Sequence, residues 1–340
     1  MDYTIYLKPT NRCNLKCDHC FNEMMADHSD MDELTLNKSI SWISGFAISH
    51  SKDTINCQLH GGEPCLYNTD QLIGVIKRTK HINVHWSITT NLVYQLIDQH
   101  MILFDMMVPY ANSHVKMIQT SWDDVIRYKS QHQLKLWEDN VITLIKAGII
   151  VQPTICITSA LINNYRPKQL FDYMLNLGVT QLNFERLTNT GRAVNQFVIV
   201  NNAKQKLIPK NIDVDKWLYN AYMTSKMPPY SNITIPIFQG VEQSIKGEFL
   251  GCRARKCMQT VFTINPDGSI GGCPNTACYA PNSISSIKWV DNKLVGQEKI
   301  QRTECLMCKY YQYCNGDCFQ LAHDDTGCPG MKSIYQYLLG

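Results

Sequence analysis

Short β-like runs recur along the first two thirds of the chain, at Tyr3–Leu7, Thr54–Leu59, Val84–Thr89, Val115–Thr120, Ile149–Thr158 and Gln181–Arg186. Between them lie amphipathic segments with apolar residues at helical spacing, clearest over Leu34–His50, Asp70–Lys80, Leu134–Ala147 and Pro167–Leu177. Six strand-then-helix units predict an α/β fold: a parallel sheet with right-handed crossovers, curled into a partial or complete (β/α)6 barrel like a reduced TIM barrel. In such folds the chemistry sits at the C-terminal ends of the strands.

The pattern changes near Lys226. Met227-Pro228-Pro229 breaks the last helical stretch, and nine of the fifteen cysteines fall between Cys252 and Cys328. The chain therefore reads as a barrel over residues 1–226, a Pro-containing linker over 227–249 and a small cysteine-rich domain over 250–340. No internal repeat of fixed period and no low-complexity tract interrupts that division.

With 340 residues, 44% of them hydrophobic, the chain has ample material for a core. The start, Met1-Asp2-Tyr3-Thr4, has neither the basic residues nor the apolar run of a secretory signal. The most apolar region, Val141 to Ile157, is interrupted by Lys146 and Gln152, so no membrane span is expected. A cytoplasmic, reducing setting follows, in which closely spaced cysteines read as metal or redox groups before disulfides. The net charge of +3 and the lack of any run of five Lys/Arg argue against a nucleic-acid or membrane partner. Cluster thiolates would turn that charge negative.

Cys13, Cys17 and Cys20 form C-x3-C-x2-C directly after the first strand. Three thiolates on one loop can hold a [4Fe–4S] cluster and leave one iron open to an external molecule, which then receives an electron. A structural zinc site is the alternative, and it needs a fourth ligand such as His19 or a distant cysteine. His60-Gly61-Gly62-Glu63-Pro64 ends the second strand, where glycines allow close backbone approach and a carboxylate can pair with an ammonium group.

Spacing and placement together resemble the radical S-adenosylmethionine (SAM) superfamily, with His19 standing where those enzymes commonly carry an aromatic residue. The resemblance implies that Gly61, Gly62 and Glu63 bind the methionine amino group of SAM. It also points to the strand-end groups of Thr89-Thr90-Asn91 and Ser121-Trp122-Asp123, above all Asn91 and Ser121, as contacts to the SAM ribose or carboxylate. Arg127 is a further candidate for the carboxylate.

The C-terminal pattern is the most specific in the chain: Cys252, Cys257, Gly268-x4-Cys273, Cys305-x2-Cys308-x5-Cys314-x3-Cys318 and Cys328. It resembles the SPASM module, which holds two auxiliary [4Fe–4S] clusters. The resemblance implies Cys252, Cys257, Cys273 and Cys318 for one and Cys305, Cys308, Cys314 and Cys328 for the other, with Cys278 as the alternative to Cys257 for the eighth ligand. Spacing alone cannot pair them, and two zinc knuckles remain the alternative.

Three [4Fe–4S] clusters and SAM are thus the expected cofactors, with a flavodoxin- or ferredoxin-type electron donor. The family chemistry is a 5′-deoxyadenosyl radical that takes a hydrogen atom from substrate. The substrate implied is a ribosomally made peptide or a protein, and the outcome most favoured is an oxidative crosslink. The chain starts almost at strand one, so substrate is expected to be recognised by the barrel and the module or presented by a separate leader-binding protein.

Formylglycine-forming sulfatase maturases share the layout, but the Asp base expected after the second motif cysteine is replaced by Pro274 and then Asn275. Epimerisation needs a free cysteine to return a hydrogen atom. Cys57, Cys65, Cys156 and Cys278 remain after the proposed ligands, of which Cys65 and Cys156 are the candidates. Glu185 and Arg186 are expected at the active-site mouth. Trp122 and Tyr310-Tyr311-Gln312-Tyr313 are candidates for a peptide groove or for packing around a cluster. A non-catalytic iron–sulfur or zinc-binding protein is the reading from another class.

Overall fold

The computed structural model describes residues 2–22, 29–109, 114–188, 191–200, 202–254, 257–275, 282–283, 303–318 and 320–340. Six parallel strands follow one another in sequence order, β1 (Asp2–Thr10), β2 (Thr54–Gly61), β3 (Val84–Thr90), β4 (Met117–Ser121), β5 (Ile150–Ile157) and β6 (Asn183–Arg186). The helices between them include α1 (Glu33–Ser49), α2 (Thr69–Thr79), α3 (Asp98–Asp105), α4 (Asp124–Arg127), α5 (Gln131–Lys146), α6 (Ser159–Asn164) and α7 (Pro167–Asn176). This is the α/β partial barrel expected from the alternation of apolar runs, with strand ends shifted by up to three residues.

Alternation along each strand decides what faces where. Ile5 and Leu7 of β1 pair in register with Cys57 and Leu59 of β2, and all four are 0% exposed beneath the helices. Ile88, Ile155 and Ile157 continue that outer layer against helix residues such as Phe46, Leu72, Leu144 and Phe171. Burying each such side chain contributes about 1.5–3 kcal/mol, and this layer is the main core. The alternate residues, among them Gln58, Thr89, Gln119 and Cys156, point into the barrel. Gln58 Nε2 donates to Thr89 Oγ1 and Gln119 Oε1 at 2.5 and 2.6 Å, which closes a polar network across three strands. Polar residues in a strand-lined interior mark a lumen built to hold a ligand rather than a packed centre.

The C-terminal region does not stand apart from this sheet. After a hairpin of β7 (Phe197–Val200) and β8 (Ala203–Lys206) come α8 (Asn211–Ser225), α9 (Pro236–Ile245), α10 (Cys257–Thr260) and then β9 (Val261–Ile264), which pairs parallel with β1 from Thr4↔Val261 to Leu7↔Ile264. With β10 (Ser269–Gly271) and β11 (Asn282–Ser283) it extends the sheet to nine strands in the order β11-β10-β9-β1-β2-β3-β4-β5-β6. The stretch 227–249, read from sequence as a linker, carries α9, which starts on Pro236 at a position where proline costs no hydrogen bond.

Phe262 of β9 inserts among Tyr3, Trp42 and Phe46, with ring centroids 5.4–6.5 Å apart. The chain ends with α11 (Thr303–Leu306), α12 (Tyr311–Cys314) and α13 (Lys332–Leu339). Helix α13 is tied to α8 by Asp215, which accepts from Ser333 Oγ at 2.5 Å, and to α9 by Ser244 and Tyr335 at 2.9 Å. No helix among the described residues is long and apolar enough to cross a membrane.

Candidate active site and cysteine centres

The segment that follows β1 carries Cys13, Cys17 and Cys20 across the C-terminal end of the barrel. Backbone bonds of the β1–β2 ladder continue into it, from Gly62 N to Thr10 O at 2.9 Å and from Glu63 N to Arg12 O at 2.7 Å. The two glycines of the turn have a steric role. A Cβ on Gly61 would lie 2.3 Å from Thr10 O, and one on Gly62 would lie 2.1 Å from Arg12 O. Gly61 also has φ +137, which side chains rarely adopt. The cysteine loop can pass this close only over glycine.

Glu63, Asn91 and Arg127, read from sequence as contacts to SAM, are engaged with the protein in this structure. The Glu63 carboxylate, 1% exposed, accepts from Thr90 Oγ1 at 2.7 Å, Asn91 N at 2.6 Å and Cys65 N at 3.0 Å. Burial raises its pKa and these three donors oppose the rise. Asn91 Nδ2 donates to Asn14 Oδ1 at 2.7 Å and reaches Cys13 Sγ at 3.7 Å, while Asn14 Nδ2 donates to Val93 O at 2.6 Å. Arg127 donates to Cys17 Sγ at 3.4 Å and holds Asp123 through Nε and Nη2. Asn91 and Arg127 fix the loop that bears the thiols, and Glu63 holds the backbone of Asn91 behind it. Gly61, Gly62 and Ser121 line the same strand ends, and Ser121 shares the lumen side of β4 with Gln119.

His19 and Asp123 were not expected as partners, and the structure brings them together. His19 Nε2 lies 3.3 Å from Asp123 Oδ2, and the ligand atoms of His19, Asp123 and Cys156 all lie within 4.8 Å of one another. Burial raises the Asp123 carboxyl, and His19 and Arg127 outweigh it, so the group is held below the usual carboxylate range. Asp123 Oδ1 in turn accepts from Cys156 N at 2.7 Å. The one sequence cue was the odd His before the last cysteine of the loop.

Burial pushes the Cys13 thiol up to about 12, and it raises Cys17 with Arg127 opposing. A protonated thiol binds no iron, so loading this loop exchanges protons for metal. Three sulfurs on one short loop, with amide and guanidinium donors beside them, fit a [4Fe–4S] cluster, which Cys13, Cys17 and Cys20 would hold with one iron left free of protein ligands. Across the lumen, β5 and β6 pair Cys156 with Glu185. Glu185 is exposed to the lumen, and the surrounding protein raises its carboxyl, with Asp123 adding to the rise and Arg186 opposing it.

The other three candidates lie elsewhere. Cys65 is 7% exposed behind Glu63 and beside the hydroxyls of Tyr94 and Thr90, so it does not line the lumen. Trp122 is 1% exposed and packs on Tyr165 and Tyr173, which removes it from any groove. Arg186 reaches out of the barrel to Asp317 and Pro329 O.

In the C-terminal region the thiols fall into two groups. Cys305, Cys308, Cys314 and Cys328 line one cavity of about 340 Å³, walled by Tyr310 and Tyr335. Gly330 backs it: a Cβ there would lie 3.5 Å from both Cys314 Sγ and Cys328 Sγ. Tyr310 stacks on Tyr335 at 6.2 Å, so this tyrosine packs around a thiol cage. Cys257, Cys273 and Cys318 form the second group, close enough for Cys257 and Cys318 to raise Cys273, which burial pushes up to about 11. The side chain of Cys252 and all of Cys278 lie outside the described residues. A four-thiol cavity of this size fits an iron–sulfur cluster better than a zinc ion, whose ligands close to within about 2.3 Å of one centre.

The comparisons agree with this geometry. Residues 4–124 match a family model described as a 4Fe-4S single cluster domain. Native anSMEcpe with bound AdoMet and the Cp18Cys peptide superposes with a TM-score of 0.75 at 16% identity, covering 99% of this chain and 95% of that one. The chain shares the fold of that structure over nearly its whole length. A second structure, Streptococcus suis SuiB bound to precursor peptide SuiA, matches with a TM-score of 0.61 at 16% identity, over 93% of this chain and 71% of that one. No curated protein sequence matches the chain significantly.

Proposed function

We propose that the chain is a radical SAM/SPASM enzyme that uses three [4Fe–4S] clusters and modifies a ribosomally made peptide or a protein, most simply by an oxidative crosslink. The observation that carries the reading is the three-cysteine loop laid over a polar lumen, with a four-thiol cavity and a second thiol group behind β6. When bound, the first cluster and SAM supply the 5′-deoxyadenosyl radical. The chain's own part is to hold the loop through Asn14, Asn91 and Arg127, to close the lumen against water and to keep the substrate carbon in reach.

The family resemblance and the peptide-bound relatives support a peptide substrate. The C-terminal thiol groups support an oxidative outcome, since a cluster beside Glu185 can accept the electron left on a substrate radical. An outside reductant of flavodoxin or ferredoxin type would supply the first electron, and a separate leader-binding protein would present the peptide.

A specific observation favours epimerisation as a second reading: Cys156 presents its thiol to the lumen beside Asp123 and Glu185, where a hydrogen-atom donor would stand. Anaerobic reconstitution, reduction and measurement of 5′-deoxyadenosine test the radical chemistry. The expected result is release in the full chain and none in the Cys13→Ala, Cys17→Ala, Cys20→Ala variant. Release that persists in that variant would overturn the reading.

Co-expression with peptides encoded beside the gene, in ordinary and in heavy water, then separates the outcomes. A loss of two hydrogens supports the crosslink. An unchanged mass in ordinary water, with one deuterium gained in heavy water, means epimerisation.

A further inference from the structure

Between Cys314 and Cys318 the chain reads Asn315-Gly316-Asp317, and all three residues have positive φ, +53, +72 and +48. Asn, Gly and Asp are the residues that tolerate this left-handed region, so the sequence is suited to a turn that ordinary side chains would not make. The turn delivers two neighbouring cysteines to different places. Cys314 lines the four-thiol cavity, and Cys318 belongs with Cys257 and Cys273.

Asp317 sits in that turn, 4% exposed, with Oδ2 at 2.9 Å from Arg186 Nη2 and 3.5 Å from Arg253 Nη2. Both guanidiniums are themselves buried, with side chains 10% and 7% exposed. Arg186 also donates to Pro329 O, next to Cys328, and Arg253 adjoins Cys252. Electrostatically, Arg186 feels both Cys318 and Cys314, and Cys314 feels Arg253.

One carboxylate against two guanidiniums leaves a single positive charge buried between the two thiol groups. An isolated buried charge is costly unless something compensates it, and two anionic thiolate-ligated clusters would do so from either side. Arg253 Nε is buried and has no hydrogen-bond partner among the described residues, which leaves a donor for a cluster sulfur. Charge and hydrogen bonds at the sulfurs are the levers by which a protein sets cluster potentials.

We propose that Asp317, clamped between Arg186 and Arg253, is the shared charge that sets the reduction potentials of both C-terminal clusters. It also ties them to β6, whose Glu185 faces the lumen. This inference rests on the cluster reading above. It makes Asp317 a tuning and positioning residue, with no contact to substrate. Removing its negative charge leaves two positive charges and favours the reduced, more anionic clusters. Removing one guanidinium leaves none and disfavours them.

The test uses the full chain with Cys13→Ala, Cys17→Ala and Cys20→Ala, so that only the C-terminal clusters are read, by iron content and by electron paramagnetic resonance through a redox titration. Fewer than about 8 iron per chain before any further change would mean that the cluster reading itself fails. With iron retained, Asp317→Asn is expected to raise both potentials, Asp317→Glu to restore them, and Arg253→Met to lower them.

Potentials that stay put or move in one common direction would overturn the proposal, because mere loosening of the module does not reverse sign with charge. Should Asp317→Asn lose iron, Arg253→Met decides the matter alone: a potential that falls supports the proposal, and one that does not sinks it.

Discussion

Arg127 donates from Nη1 to Cys17 Sγ at 3.4 Å while its Nε and Nη2 grip Asp123 Oδ2 at 2.9 and 2.8 Å. A single side chain thus joins the end of β4 to the middle cysteine of the loop, and Asp123 carries the link on to Cys156 in β5. Arg127→Ala would leave a carboxylate that is 2% exposed without its guanidinium counter-charge, at a cost of about 3–5 kcal/mol. Chemical denaturation should show that loss. Arg127→Lys, which keeps the charge but not the fork, should recover part of the stability and less of the 5′-deoxyadenosine release.

Gly62 offers a sharper test of loop placement. An alanine there would drive Cβ into Arg12 O, and the other atoms it meets, Arg12 C and Asn11 O, are also backbone with little room to yield. On the proposed three-cluster reading, Gly62→Ala is expected to lose the first cluster alone, so that iron after reconstitution falls from about 12 to about 8 per chain. Unchanged iron and SAM cleavage would show that the close passage is dispensable.

The barrel strands were legible because their alternation is local: Ile5 and Leu7 bury one face and Tyr6 and Lys8 take the other within six residues. The cysteine spacings were legible for the same reason. The attachment of β9 was not, since Val261–Ile264 is four residues long and its pairing with β1 joins positions more than 250 apart in the chain. Nor was Asp317, whose role comes from Arg186 and Arg253, two residues that no local pattern connects to it. Glu63, Asn91 and Arg127 were read from sequence as cofactor contacts, but whether each touches a cofactor or the loop depends on distances that spacing does not carry.

That attachment predicts how the chain tolerates truncation. Ending it at Leu250 removes β9, exposes the β1 edge at Thr4–Leu7 and uncovers Tyr3, Trp42 and Phe46. An open edge beside apolar rings favours aggregation. Size-exclusion chromatography should therefore find the 1–250 fragment aggregated. A monomeric fragment with normal helix content would mean that the C-terminal part is an independent domain.

Asp324 gives a pH-dependent contact between the same two parts. Its carboxylate accepts from Asn211 N at 2.8 Å at the start of α8, and from Thr326 N and Oγ1 within its own turn. Burial acts to raise it, and these donors outweigh burial, so its pKa is lowered. A depressed carboxylate contributes stability that is present above its unfolded pKa and lost as pH falls through the folded value. Thermal unfolding at neutral pH should show Asp324→Asn destabilised by about 1 kcal/mol, the size of a lost helix cap. In acid below the folded value the variant and the parent should converge; a gap that persists there would mean that the carboxylate charge is not what holds the contact.

Cys156 decides between the two outcomes open to the substrate radical. Its neighbours Ile155 and Ile157 are 0% and 1% exposed on the outer face, which turns the thiol toward the lumen, in register with Glu185. Burial, then Asp123 and Glu185, raise the thiol well above its ordinary value, so it keeps its hydrogen. If the radical is oxidised through the C-terminal clusters, that hydrogen is never used. Cys156→Ala should then still release 5′-deoxyadenosine and still yield a peptide lighter by two hydrogens. If the thiol quenches the radical, the same variant will consume SAM without forming the deuterium-labelled product in heavy water. The expected result is the first. A product lost in Cys156→Ala, with the N-terminal cluster intact by iron content and resonance spectrum, would transfer the assignment to epimerisation.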